Sequence, residues 1–217
     1  QGVAAANGTI SPKAALSAPV AEELTIVETP LYKAVFTNAG GAIKSLELKN
    51  YKQGQNDPVI VNVAQKVAAQ NSFRSQFDVN GVIETPVFSS PKKSFNLTGA
   101  DKAELVYTGV LSNGLAVEKK FVFSADAYFI QTEAAAFNKT ATAVSVRSDI
   151  VISAPVSGKD DTGYHQGPIV KTSKELTRQD EDDRSLAGSN KLKWLGLEDK
   201  YFLAAIVPVT EAHFSWL

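Results

Sequence analysis

The segment AELVYTGVLSNGLAVEKKFVF, residues 103–123, restricts the possible folds of this chain more than any other. Two runs that alternate apolar with polar residues flank Ser112-Asn113-Gly114, and a short Asn-Gly loop between such runs is a strong β-hairpin signal. An amphipathic helix would need apolar residues at every third or fourth position, and that period is absent here. The segment therefore predicts two antiparallel strands.

Further short strands are predicted along most of the chain. Residues 24–37, 72–79, 128–137 and 143–156 are rich in β-branched or aromatic residues, which favour strands. No segment combines a sustained 3.6-residue apolar period with caps at both ends, and the best helix candidate, residues 59–72, is weak. Regularly spaced strands with turn signals between them predict an all-β sandwich or barrel.

A second turn is predicted at Gly40-Gly41, within the segment NAGGAIKSLELKNY. Glycine adopts positive φ angles without steric cost, so the pair is expected to close a hairpin in front of a strand that contains Ile43, Leu46 and Leu48. A phosphate-binding loop is the alternative, but neither the dinucleotide-binding nor the P-loop spacing of glycines is present.

Composition excludes several classes of function. The 217 residues carry a net charge of −1 and no basic tract, which disfavours binding to nucleic acid. The chain has no cysteine, so disulfides, thiolate zinc sites and cysteine nucleophiles are excluded. Neither a calcium-loop spacing nor a zinc motif surrounds its acidic clusters or histidines, and we expect no metal and no cofactor.

Two segments differ in character from the rest. Residues 1–21 are rich in Ala, Gly, Ser and Pro and are predicted to be a flexible tether, which leaves residues 22–217 as the folded domain. Residues 157–191 are polar and contain charge clusters, which is typical of a long loop that is either functional or disordered.

Candidate catalytic residues are few. The chain contains two histidines, His165 and His213, and histidine is the side chain most often used in acid–base catalysis. The sequence gives neither of them a partner, although the fold could bring a carboxylate to one of them. Trp194 could stack on a ligand, but its alternation with Leu192 favours a position in the core.

The segment NKLKWLGLEDKYFLAAIVPV, residues 190–209, places Glu198, Asp199 and Lys200 between two apolar runs. Such a charged triplet is most simply a turn between two strands. The second run, residues 201–207, would be apolar on both sides of a strand, so both of its faces are expected to be covered.

Two of these segments together resemble one known family. WLGLEDKYFLAAIVP is similar to the signature of the first large periplasmic domain of YidC-type membrane protein insertases (the YidC/Oxa/Alb family) of Gram-negative bacteria. ETPLYKAVFTNAGGAIKSLELKNY resembles the opening strands of that domain, and residues 106–130 follow its pattern of two strands and a turn. The resemblance covers residues 24–217. The residues that carry it, which are expected to be structural, are Gly40, Gly41, Trp194, Leu197, Glu198, Asp199, Lys200, Tyr201 and Phe202.

The resemblance implies an all-β fold of mostly antiparallel strands with little helix, a β-supersandwich of the galactose-mutarotase-like type. It also implies a periplasmic domain of a multi-spanning inner-membrane protein, with residues 1–21 as the tether that follows a membrane helix. Insertases of this type insert and fold membrane proteins, alone or with the Sec translocon. The family domain continues beyond the signature, so its C-terminal part is expected to be absent from this chain.

Two functions are therefore open, with a surface adhesin or lectin that binds glycans without turnover as a weaker third. The first is a non-enzymatic periplasmic domain of an insertase and chaperone, which binds Sec accessory subunits or nascent membrane proteins and no nucleic acid. The second is a carbohydrate-binding protein or an aldose-epimerase-like enzyme on the same fold, which needs an acid and a base across a sugar pocket. Pairing of His165 or His213 with a carboxylate in such a pocket would favour the second.

Overall fold

The computed structural model describes residues 21–53, 57–61, 71–153, 164–179, 187–188, 191–198, 201–210, 212 and 214–215. These residues form strands and no helix, which confirms the all-β prediction. None of them belongs to a helix with the length and hydropathy needed to cross a membrane. The strands are β1 (Leu24–Glu28), β2 (Tyr32–Thr37), β3 (Ala42–Gln53), β4 (Asp57–Val61), β5 (Arg74–Val79), β6 (Val82–Glu84), β7 (Ser94–Asn96), β8 (Lys102–Val110), β9 (Ala116–Ser124), β10 (Gln131–Phe137), β11 (Val146–Val151), β12 (Gly167–Thr172), β13 (Leu176–Arg178), β14 (Ala187–Gly188), β15 (Leu192–Glu198), β16 (Leu203–Ile206) and β17 (Phe214–Ser215).

The first sheet has five strands in the order β4-β3-β2-β1-β7, and the Gly40-Gly41 turn joins two of its neighbouring strands, β2 and β3. β2 and β3 run antiparallel on either side of this turn, with Thr37 opposite Ala42, which confirms the predicted hairpin. β1 pairs antiparallel with β2 and parallel with β7. The β1–β7 pair is thus an exception in sheets that are otherwise antiparallel over the described residues.

The hairpin predicted at Ser112-Asn113-Gly114 is also confirmed. β8 and β9 pair antiparallel along their whole lengths, and β10 completes a sheet in the order β10-β9-β8. Every second residue of β9, beginning with Val117, is buried, whereas the residues between them are half-buried on the outer face. This alternation follows from the two-residue period of side chains along a strand.

The main core lies between these two sheets. The ring of Phe36 in β2 packs 4.9 Å from that of Phe121 and 5.4 Å from that of Phe123, both in β9. A third sheet, in the order β11-β5-β6, adds Phe77 and Val79 to the same cluster. Burial of each such side chain contributes roughly 1.5–3 kcal/mol. Sheets that face each other across a shared core form the sandwich arrangement that the sequence predicted.

Four strands between residues 167 and 206 form a separate sheet in the order β13-β12-β15-β16, called the C-terminal sheet below. β15 and β16 are antiparallel neighbours, with Glu198 opposite Leu203, which confirms the predicted reversal of the chain between these two strands. β14 and β17 form a two-stranded sheet of their own.

The weak helix candidate at residues 59–72 is wrong where the structure describes it. Residues 59–61 belong to β4, which pairs with β3, and Ser72 forms an isolated antiparallel bridge with Ile43. Residues 62–70 lie outside the described part of the chain. Three consecutive β-branched residues at 59–61 favour a strand, and pairing along the edge of β3 supplies the backbone hydrogen bonds.

The polar segment 157–191 is likewise not one continuous loop. It contains β12, β13 and β14, and β12 occupies an interior position in the C-terminal sheet. Ile169 and Val170 are buried there. The polar composition of the surrounding residues concealed this short apolar strand.

The expected cover on both faces of residues 201–207 is also absent from the described part of the structure. β16 lies at the edge of the C-terminal sheet, and Tyr201, Leu203 and Val207 are exposed. Trp194, expected in the core, is half-buried in β15. An apolar run shows that burial would be favourable, but it does not determine which other elements are available to provide the cover.

Candidate functional site

The Gly40-Gly41 turn is packed too tightly for side chains. Both residues have positive φ angles, +68° and +56°. The Gly40 N–H donates to the carbonyl of Pro86 at 2.8 Å, and its carbonyl accepts from the Ser75 N–H at 2.8 Å. A Cβ atom on Gly41 would lie 2.9 Å from Cδ of Lys119. Both the backbone conformation and the lack of space therefore require glycine.

Lys119, which lies beneath this turn, is the most unusual residue of the core. It belongs to β9, its exposed fraction is 0%, and Nζ donates to the carbonyl of Phe73. Nζ also lies 4.9 Å from the centroid of the Phe121 ring. Because burial disfavours the charged form, the pKa of Lys119 falls to about 7. Sequence reasoning missed this residue, although Lys119 shares the inward parity of Val117 and Phe121.

Apart from the Gly40-Gly41 turn, the residues that carry the family resemblance lie in and around the β15–β16 hairpin. Trp194, Leu197 and Phe202 are half-buried, and Tyr201 is exposed. Asp199 and Lys200 lie outside the described residues. A Cβ atom on Gly196 would lie 2.5 Å from the carbonyl oxygen of Ala204, so glycine allows β15 and β16 to approach closely. The structure thus places the signature in a tightly paired hairpin at a sheet edge.

Glu198, the first residue of the charged triplet, has partners that the sequence did not reveal. Arg178 Nε donates to Oε1 of Glu198 at 2.6 Å, and His165 Nδ1 lies 3.0 Å from the same oxygen. The Glu198 side chain is mostly buried. The hydrogen bond from Arg178 is the largest cause of a lowered pKa of Glu198, and His165 lowers it further. Glu198 is therefore a charged anchor at the end of β15 rather than a solvated turn residue.

The His165–Glu198 contact is the carboxylate pairing that would favour an enzyme. However, Nε2 of His165 donates to the carbonyl of Gln179 at 2.8 Å, so both ring nitrogens face protein acceptors. A general base needs a ring nitrogen within reach of a substrate proton. His213 lies outside the described residues. Among the residues that the structure describes, no group of three His, Cys, Asp or Glu side chains could hold a metal ion.

Aromatic residues connect the signature hairpin to the main core. The ring of Phe202 lies 5.4 Å from that of Tyr51 at the end of β3, in a T-shaped arrangement. Tyr51 lies 6.2 Å from Tyr128, which in turn lies 6.4 Å from Tyr32 in the core. Tyr51 and Tyr128 keep exposed surface, as does Tyr201 next to Phe202. These aromatic residues therefore pack the hairpin against the main core and also form an aromatic surface.

An open cleft of about 890 Å³ lies along the outer face of the β8–β9–β10 sheet, at the end that carries the Ser112–Gly114 turn. Its apolar lining includes Val110 and Phe137, which are 67% and 47% exposed. Glu118 and Lys139 add one charge of each sign to the lining. This cleft, called the apolar cleft below, could accept an extended apolar segment. The alternation in the sequence predicted an outer face here but not its concave shape.

Comparisons with known proteins agree on one family. A family model described as the YidC periplasmic domain matches residues 25–215. Two curated relatives named membrane protein insertase YidC, from Pelobacter propionicus and Syntrophus aciditrophicus, are each 30% identical to this chain over 211 and 213 residues. These alignments cover 92% and 91% of this chain and 39% of each relative. A relative of the same name from Geotalea uraniireducens is 25% identical over 84% of this chain and 36% of its own length. The chain therefore spans well under half the length of the curated relatives that it matches.

Proposed function

Since the chain belongs to the YidC periplasmic domain family, we propose that it acts as a non-enzymatic docking domain of a membrane protein insertase. In this proposal the domain lies in the periplasm and is joined to the membrane-embedded part of the insertase. It supports the insertion and folding of membrane proteins by binding other proteins rather than by a chemical reaction. The residues of the signature turn and hairpin have a structural role, because they determine close backbone approaches and buried contacts.

The apolar cleft is the observation that supports docking. Large apolar side chains that are exposed together mark interaction surfaces more often than single exposed residues do. Val110 and Phe137 are such a pair, and both line the open cleft of about 890 Å³. The Ser112–Gly114 turn joins two of the strands that line the cleft, and the N–H and Oγ–H of Ser112 both donate to the carboxylate of Glu84, at 2.9 and 2.6 Å.

The proposed occupants are apolar segments of nascent membrane proteins or of Sec accessory subunits. Membrane-spanning segments are rich in large apolar residues, and before insertion these residues need a protected surface. Glu118 and Lys139 contribute no net charge to the cleft, so the contact would depend on apolar area more than on charge.

A photocrosslinking experiment tests this function. A photoreactive phenylalanine analogue replaces Phe137 in the full-length insertase, in inner membranes that carry a stalled nascent membrane protein. We expect adducts with the nascent protein or with a Sec accessory subunit. The matched control is the same analogue at Val209, which is 90% exposed but lies outside the cleft. Equal yields at the two positions, or no adduct at Phe137, would contradict the proposal.

A carbohydrate-active function is the second candidate, and the His165–Glu198 contact is the observation that favours it. It is the weaker candidate because each ring nitrogen of His165 already faces a protein acceptor. Polarimetry of sugar anomerisation tests it directly. Acceleration at least tenfold above buffer, abolished by His165→Gln, would replace the docking proposal with an epimerase.

A further inference from the structure

The C-terminal sheet has its own small set of buried apolar residues. Ile169, Val170 and Leu192 are buried, yet they do not belong to the main core cluster. Among the described residues from 164 onwards, Phe202 is the hydrophobic side chain that packs against the main core. Within the described part of the chain, the apolar packing of this sheet against the main core is therefore concentrated at the tip of one hairpin.

The attachment continues from Phe202 into the body through a series of neighbouring aromatic rings. Phe202 meets Tyr51 edge to face at 5.4 Å, and Tyr51 and Tyr128 are themselves partly exposed. Aromatic pairs in this arrangement are more favourable than the area that they bury accounts for.

By contrast, the C-terminal sheet is well connected internally. Glu198 at the end of β15 accepts a hydrogen bond from Arg178 at the end of β13 and contacts His165 in front of β12. β12 and β15 pair along their lengths, and Gly196 brings β16 close to β15. These contacts lie within the sheet, so they persist when the tip of the hairpin leaves the body.

We propose that the C-terminal sheet opens from the body as a single unit, and that separation of Phe202 from Tyr51 releases it. Units of a protein that share few buried contacts with the rest open with a smaller free energy than the whole protein. Opening exposes the inner surfaces around Tyr51 and Phe202, so a partner that binds them stabilises the open state in proportion to its affinity for it. This inference concerns the fold of the chain and does not depend on the apolar cleft.

Native-state hydrogen exchange of the full chain tests the proposal, with Phe202→Ala as the first variant. We expect protection factors in β12, β15 and β16 to fall together by at least tenfold, and those in β8 and β9 to remain within twofold. Leu203→Ala is the matched control, since its side chain is the next in sequence and is exposed. We expect that variant to leave all these protection factors within threefold.

A second variant, Tyr51→Ala, removes the partner from the body side and keeps the test valid if Phe202→Ala does not fold. Tyr51 lies in β3, so a purely local packing defect would lower protection in β3 alone. The proposal requires the loss to appear in β12, β15 and β16. It is overturned if either variant lowers protection evenly across the protein, or only in β16, or nowhere.

Discussion

Lys119 gives the folded protein an unusual dependence on pH. The buried amine is hard to protonate in the folded state, where its pKa is about 7, whereas the same group in the unfolded chain has a pKa near 10.5. Between these values the unfolded chain binds more protons, so the free energy of unfolding rises as the pH is raised from about 7 towards 10.5. The stabilisation is complete above the unfolded pKa and is lost as the pH falls through the folded pKa.

The size of this effect follows from the two pKa values. One pH unit of difference corresponds to about 1.36 kcal/mol, so a drop from 10.5 to about 7 corresponds to about 5 kcal/mol at most. Over pH 7 to 9.5 the free energy of unfolding should rise by about 3 kcal/mol from this residue alone. Burial raises the pKa of Tyr32 and Tyr107 to about 12, and their titration in the unfolded chain destabilises the fold above about pH 10. The window for measurement therefore ends near pH 9.5.

Replacement of Lys119 by Met removes the titrating amine and keeps a side chain of similar length. We expect the variant to lose the rise in stability over pH 7 to 9.5, and to be more stable than the wild type at pH 7 despite the loss of the hydrogen bond to Phe73. Urea unfolding followed by circular dichroism at several pH values measures this difference. Lys120→Met is the matched control, because Lys120 is the next residue, is partly exposed and forms an ion pair with Glu133 at 3.3 Å. Parallel pH profiles for the wild type and Lys119→Met would refute the reasoning.

Two further predictions concern the tightly packed glycines. Gly41→Val should lower the free energy of unfolding by at least about 2 kcal/mol, because it strains a positive φ angle and collides with Lys119. Gly81 is the control position, because it also has a positive φ angle but no atom lies within 4 Å of an added Cβ. Urea unfolding of Gly81→Val should therefore show a smaller loss of the free energy of unfolding. Equal losses in the two variants would contradict the packing argument. Gly196→Ala should lower the midpoint of thermal unfolding by several degrees, because its Cβ would meet the Ala204 carbonyl oxygen at 2.5 Å. An unchanged midpoint would mean that β15 and β16 separate there without cost.

Local signals in the sequence were sufficient for the hairpins. The loops at Gly40-Gly41 and Ser112-Asn113-Gly114 lie where their turn residues predicted, because turn geometry depends on a few neighbouring residues. The burial of Lys119 was also encoded in local alternation, since it lies two residues from both Val117 and Phe121. Charged residues usually lie at the surface, so the alternation alone does not predict that a lysine occupies an inward-facing position.

Contacts between distant segments were beyond the reach of sequence reasoning. Glu198 is 33 residues from His165 and 20 residues from Arg178, and nothing in a local pattern connects them. The resemblance to the insertase family identified Glu198 as part of a signature but gave no physical reason for it. The concave shape of the apolar cleft depends on strand twist and on the packing of neighbouring segments, which a single sequence does not specify.

The parallel pairing of β1 with β7 has a consequence for how the chain acquires its structure. Ile26 lies opposite Ser94, so the two partners are separated by roughly 70 residues of chain. Lys93 and Leu97 add backbone hydrogen bonds to β1 on either side of β7. A chain that emerges N-terminus first therefore keeps one edge of β1 unpaired until about residue 97 has appeared, and a free strand edge is prone to incorrect pairing. The first sheet can therefore be completed only after the three-residue strand β7 has been synthesised.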